Sequence, residues 1–459
     1  MKNVWLSVTS LAFVLGCGSA PAPVSKAPEK TVLVQPAKPE PAPVEATQEA
    51  TKDDESSRMI ARMLDKVARV RGLPIKRPVP GKVLDRDALG QYIREKVDEG
   101  TPREVLVAQG EMLTALELVP PEYDFLQGAL ALLGGRVAGI YDPKQAVMVL
   151  AADLGEAEAT ETLAHELAHA LADQSFPFAP HMKYVPGEGD RSSAVHAFAE
   201  GDATSTMLDI QLGSAFEMTE DAIRIAFIAS TMLSEVGAKT PRAVNSSLVA
   251  PYVDGFACIQ ALRRRGDWRA VDEVWRNLPE TTEQLLHIEK LLAREPAEAI
   301  TNPVLGPLEK DGYKIVVDDV MGEQGLRILL EDIATRSTAR EGAAGWGGDK
   351  AIVAERVVQG KRQVAFAYRL RMDTVLDAKE VAAQFDKKYG SKCHERKELG
   401  PVAWELKGRD ILLVSGPYER RDGGPVSVGN CSLSKTWLSE AWTAAPPPVG
   451  DPVKQQAGR

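Results

Sequence analysis

The stretch Thr162-Leu163-Ala164-His165-Glu166-Leu167-Ala168-His169-Ala170-Leu171 places two histidines four residues apart, with a glutamate directly after the first. On an α-helix, positions i and i+4 share a face about one turn apart, so both imidazoles can reach a single cation. Glu166 lies about 100° around the helix from His165, out of line as an equal ligand but near enough to hydrogen-bond a water on the metal. The flanks read as helix. Ala, Leu and Glu dominate Glu156 to Gln174, no Gly or Pro interrupts after Gly155, and Leu163, Leu167 and Leu171 form a stripe for a core. His165 and His169 sit about 160° around from Leu163 and Leu171, so they are expected to face the opposite side, onto a cleft.

Catalytic zinc usually takes three protein ligands and keeps a fourth position for water, so a third ligand is expected downstream. The leading candidate is Glu200, in Ala197-Phe198-Ala199-Glu200-Gly201-Asp202-Ala203-Thr204, within a segment from Ser192 to Leu212 that reads as a second helix. His196, one turn before Glu200 on the same face, is the rival, and Asp202 stands behind both. The 31 residues from His169 to Glu200 leave room for an irregular, substrate-facing loop containing Pro177, Pro180 and Pro186.

The segment HELAHALADQ followed by AFAEGDAT resembles the zincin metallopeptidases, and within them the gluzincin branch, whose third ligand is a glutamate. More narrowly, the chain resembles bacterial lipoproteins and secreted proteins with an HELxHALxDQ motif. The matching pieces are GIYDPKQAVMVL, PYVDGFACIQALRRRGDW, TTEQLLH and AAGWGGD, and the resemblance covers most of the chain from about residue 56 onward. It implies a zincin-like fold, one zinc ion and a peptide or protein substrate. One departure is visible: glutamate-ligand families often carry an acidic residue four positions after the ligand to orient a histidine, and here that position is Thr204. Asp173 or Asp202 would have to serve instead.

The chemistry expected of such a site is amide hydrolysis. Zinc brings the pKa of its water to near 7 and polarises the carbonyl, while Glu166 takes the water proton as general base and passes it to the leaving amine. A donor to the negative charge of the tetrahedral intermediate is also expected, and His287 and Tyr252 are the candidates. Before the metal helix, Arg136 to Tyr141 and Ala146 to Ala151 are β-rich runs separated by Asp142-Pro143-Lys144-Gln145, a turn tetrad, and so read as a hairpin. Such a strand either edges the cleft and pairs with an extended peptide or is simply structural.

The N-terminus carries one lysine, an apolar run from Val4 to Leu15 too short to span a bilayer, and Val14-Leu15-Gly16-Cys17. That pattern resembles a lipobox, which implies a signal peptide over 1–16, a lipidated Cys17 and attachment to a bacterial membrane. Gly18 rather than aspartate after the cysteine argues for sorting to the outer membrane, facing the periplasm or the exterior. Residues 17–55 are rich in Pro, Ala, Glu, Lys and Val without aromatics and read as a disordered tether. A net charge of −10, with no basic cluster beyond Arg263-Arg264-Arg265, argues against a nucleic-acid partner.

The rest is expected to be α+β: a mainly helical zincin-like domain over 56–300, a smaller α+β domain over 301–445, and a disordered tail over 446–459. Helices are expected at Ser57–Leu73, Arg86–Glu99, Arg103–Glu117, Glu122–Leu133, Glu217–Glu235, Pro251–Arg264 and Asp267–Asn277, with a possible strand in Ile75–Leu84. The second domain reads as strands at Tyr313–Asp318, Ala351–Val358, Gln363–Met372, Val402–Lys407 and Asp410–Ser415, with helices near Glu323–Thr335 and Ala378–Lys388. Gly345-Trp346-Gly347-Gly348-Asp349 reads as a turn with a packed indole, since it lacks the lysine and hydroxyl residue that close a phosphate loop. Of the remaining cysteines, Cys393 and Cys431 share the second domain and can pair, while Cys258 reads as a small buried hydrophobe. The reading that results is a membrane-anchored zinc metallopeptidase. The alternative is an inactive or non-peptidase metal-binding lipoprotein with a scaffold or binding role.

Overall fold

The structure, a computed structural model, describes residues 45–443 apart from Ser234. The signal peptide, Cys17, most of the tether and the tail lie outside the described residues. The architecture is α+β, and two compact units divide the chain. From Glu45 onward, the first takes residues up to Gly110, Tyr123–Pro296 and Glu323–Ile328. The second takes Glu111–Glu122, Ala297–Gly322 and the chain from Leu329. No helix of the described residues is long and apolar enough to cross a membrane.

The first unit runs α1 (Glu45–Arg71), β1 (Gly81–Leu84), α2 (Arg86–Gly100), α3 (Arg103–Ala115), α4 (Phe125–Arg136), β2 (Gly139–Asp142), β3 (Val147–Ala151), α5 (Glu156–Ser175), α6 (Gly189–Leu212), α7 (Glu220–Leu233), α8 (Glu235–Lys239), α9 (Arg242–Arg276), α10 (Thr282–Leu286) and α11 (Ile288–Ala293). The first helix starts twelve residues ahead of its expected Ser57, inside the stretch read as tether. After Pro43 the sequence holds Ala, Gln, Glu and Lys with no further proline, which suffices for helix. The hairpin forms, in a three-stranded sheet of order β1-β3-β2, with Tyr141 opposite Met148. Its turn is fixed by Asp142 Oδ1, which accepts from the backbone N–H groups of Lys144 (2.8 Å) and Gln145 (3.0 Å). All four residues of β2 are buried, so this edge is covered. It does not offer the exposed strand that peptide addition needs.

Leu163, Leu167 and Leu171 are fully buried, packed with Ile60, Leu64 and Val67 of α1 and with Tyr141, Met148 and Leu150 of the sheet. Each such leucine contributes roughly 2 kcal/mol of burial. On its other side α5 packs against α6, which packs against α9 along much of its length. Gly201 of α6 and Gly255 of α9 make this possible. A Cβ on Gly201 would stand 2.1 Å from the carbonyl carbon of Gly255, and one on Gly255 would stand 1.7 Å from the carbonyl oxygen of Ala197. The two helices meet backbone to backbone. The expected break between the helices ending near Arg264 and starting near Asp267 is present, where the backbone leaves helical geometry at Gly266 and Asp267, but the first of them starts at Arg242 rather than at Pro251.

The later part of the chain adds α12 (Pro307–Lys310), β4 (Lys314–Asp319), α13 (Gly322–Glu331), α14 (Arg336–Ala343), β5 (Trp346–Val358), β6 (Lys361–Met372), α15 (Val375–Tyr389), β7 (His394–Arg396), β8 (Gly400–Lys407), β9 (Asp410–Glu419), β10 (Val426–Ser427) and α16 (Cys431–Ala441). The antiparallel sheet has the order β4-β5-β6-β9-β8-β7, with β10 on β9. Cys393 and Cys431 form a disulfide and Cys258 is free and buried. The Gly-Trp-Gly-Gly-Asp stretch is the start of β5 rather than a turn. Its register against β6 shifts between Trp346 and Gly348, and this bulge lets the Trp346 indole N–H donate to Asp349 at 2.8 Å.

Candidate metal centre

Helix α5 carries His165, Glu166 and His169, and α6 carries His196 and Glu200. The two helices bring three donor atoms together. His165 Nε2 lies 3.0 Å from Glu200 Oε2 and 3.1 Å from His169 Nε2, and His169 Nε2 lies 3.7 Å from the same carboxylate oxygen. A tetrahedral ion with bonds of about 2.0–2.1 Å separates its ligand atoms by about 3.3 Å, so a triangle of this size can close around a metal ion. Two imidazole nitrogens facing each other across 3.1 Å need either a proton carried by one of them or a cation between them. His165, His169 and Glu200 could therefore hold a metal ion together.

The surroundings set the charge of these groups. Burial works against a protonated His169, but the Glu200 carboxylate overcomes it and raises the His169 pKa. Burial likewise opposes ionised Glu200, yet His169, with hydrogen bonds from His165, His169 and His196, holds its carboxyl well below the ordinary range. Glu166 is raised by burial, against the pull of the two histidines and of the Tyr141 backbone N–H, which donates to Oε2 at 2.8 Å. Tyr141 is on the covered edge strand. Its peptide N–H points away from β3 and spends itself on the carboxylate.

In place of the expected open cleft stands a buried polar cluster: His165 is 1%, Glu166 4%, His169 3% and Glu200 2% exposed. The Tyr252 ring lies 6.0 Å from that of His165 and is itself stacked on Phe227 at 4.6 Å. Phe178 lies 6.5 Å from His169 and packs on Trp275. Phe178 and Met182 are core residues, so the loop between α5 and α6 is anchored in the interior rather than turned wholly to substrate.

Tyr252 thus stands beside the group of three, and His287 is engaged by Glu323. The His287 ring bonds Glu323 at 2.9 Å, and that hydrogen bond raises its pKa. His196, weighed as a rival ligand, instead faces the second oxygen of the carboxylate: its Nε2 is 3.2 Å from Glu200 Oε1. Both aspartates considered for orienting a histidine have other hydrogen-bond partners, although the charge of Asp202 also helps raise the His169 pKa. Asp173 accepts from the Tyr141 hydroxyl at 3.1 Å and from Arg77. Asp202 accepts from Arg71 Nε at 2.7 Å, Arg71 Nη2 at 3.0 Å and the Trp275 indole at 2.6 Å, a buried network that fixes α6 just past the ligand. The role of His196 is signalled by its i, i+4 spacing to Glu200; the Arg71 contact, across 131 residues, carries no local signal.

A family model described as a domain of unknown function (DUF8575) matches residues 313–422, a segment that excludes the histidine and glutamate group. No curated protein matches the chain. A solved structure from Chloroflexus aurantiacus, titled "Crystal structure of a putative hydrolase with a novel fold", aligns at 19% identity over 55% of this chain and 92% of that one. Its TM-score is 0.34.

Proposed function

We propose that this chain is a zinc-dependent peptidase, exported and held at a bacterial membrane by a lipid on Cys17. The observation that carries the peptidase reading is the convergence of His165 Nε2, His169 Nε2 and Glu200 Oε2 beside the carboxylate of Glu166. Zinc held by those three residues would polarise a scissile carbonyl and make a water nucleophilic near neutral pH. The chain's own residues supply the proton chemistry. Glu166 takes a proton from the attacking water and delivers it to the leaving amine. The backbone N–H of Tyr141 holds its carboxylate in one orientation for both transfers. Tyr252, against the His165 ring, is the group we assign to the developing oxyanion.

The burial of the group favours one other reading, a metal-holding lipoprotein with a binding or scaffold role, which keeps zinc and turns over no peptide. One experiment separates the two: metal content and peptide-library hydrolysis for the wild type, Glu166→Gln and Glu200→Ala, with Cys17→Ser followed by membrane fractionation. The peptidase reading expects Glu166→Gln to keep zinc and lose nearly all cleavage, and Glu200→Ala to lose zinc. Cys17→Ser is expected to move the chain from the membrane to the soluble fraction. Zinc without cleavage in the wild type would select the binding protein, and full metal occupancy in Glu200→Ala would discard that ligand.

A further inference from the structure

The two oxygens of the Glu200 carboxylate are divided between two helices. Oε2 faces His165 and His169 on α5, while Oε1 faces His196, one turn earlier on α6 itself. Both His196 and Glu200 are interior, at 0% and 2% exposure, so bulk water does not compete for either oxygen. The helix that carries them is fixed immediately after Glu200: Gly201 abuts Gly255, and Asp202 is clamped by Arg71 and Trp275. The carboxylate therefore has one oxygen committed to the α5 histidines and the other tied to its own helix.

A carboxylate can bind a cation through one oxygen or both. For the proposed chemistry the difference matters, because a second oxygen would fill the position a reacting group must occupy. From this division of contacts we infer that His196 is a positioning residue that restricts Glu200 to ligation through Oε2 alone and so keeps the site open. The inference rests on the proposed metal site but concerns a residue outside the group of three that would hold the metal. The His196 Nε2–H donates to Oε1, and swinging Oε1 toward the histidines breaks that bond in a buried place. The distinction from a merely structural histidine is that its removal changes how many ligand atoms the metal has.

The test uses the full chain loaded with Co2+, whose visible absorption weakens as its coordination number rises. His196→Leu removes the donor, and His196→Gln keeps an N–H of similar reach. His196→Leu is expected to bind Co2+ with clearly weaker absorption than the wild type, and His196→Gln to restore the wild-type spectrum. On the zinc-loaded protein, kcat for a peptide is expected to fall about 10- to 100-fold in His196→Leu, the range typical of partners that hold ligands, with KM nearly unchanged. Should His196→Leu fail to fold, His196→Asn, whose amide is too short to span the gap, takes its place. A folded donor-less variant whose cobalt spectrum matches the wild type overturns the inference and leaves the metal site standing. A wild type that takes up neither cobalt nor zinc overturns the metal reading, and the inference with it.

Discussion

Asp349 is a buried carboxylate that accepts three N–H groups, from Met321 and Gly322 of the backbone and from the Trp346 indole. Burial outweighs those donors and pushes its pKa up to about 6. A folded value above the unfolded one means stability that is complete below about pH 4 and is lost as pH rises through 6, about 3 kcal/mol in all. The deficit of Asp349→Asn relative to wild type, which cannot titrate there, is therefore expected to shrink by about that amount between pH 4 and pH 7.5. Chemical denaturation at the two pH values checks this, and a pH-independent difference refutes it. At this scale the sequence was legible where chemistry follows a fixed period: His165 and His169 were read from helical spacing, and they stand together with Glu200, the third ligand expected downstream. It was illegible where partners are remote. Asp202 looked available to the metal group, but Arg71 and Trp275 consume it from 131 and 73 residues away.

Among the elements, the crossing of α6 and α9 matters most, because one helix carries Glu200 and the other Tyr252. Neither Gly201 nor Gly255 has room for a methyl group, and the atoms in the way are backbone that cannot rotate aside. Gly201→Ala and Gly255→Ala are each expected to cost about 3 kcal/mol or more, at the upper end of overpacking effects, and to weaken metal binding by parting the helices. Urea midpoints and zinc affinity measure both effects, and an alanine variant with the wild-type midpoint would show that the crossing is looser than this. The elements themselves were mostly legible, since α5 and the strands β4, β6, β8 and β9 follow clear periods. Pro251 misled. The expected helix starts there, yet the helix in the structure already starts at Arg242, nine residues earlier, with Pro241 as its N-cap, and Pro251 lies inside it. The GWGGD stretch misled for a different reason: adjacent glycines signal a turn, but here they form a bulge in a strand.

For the molecule as a whole, a boundary at residue 300 divides the first unit from part of itself. Arg327 donates to both oxygens of Asp254, at 3.0 and 2.6 Å, and Gln324 Nε2 donates to the same carboxylate at 2.6 Å, all buried. A chain ending at 300 leaves Asp254 in the interior without these donors. Stranding a buried charge costs about 3–5 kcal/mol. Such a chain is expected to melt well below the first unit of the full protein and to be cut rapidly by added protease, whereas a truncation with the unit's full stability would refute the point. No periodicity marks this, because Arg327 sits in a helix whose neighbours in the chain belong elsewhere. The same pair sets an order on biosynthesis. Asp254 leaves the ribosome 73 residues ahead of Arg327. At about 5–20 residues per second, the buried place that Asp254 takes up can be completed only about 4–15 s after that residue is made.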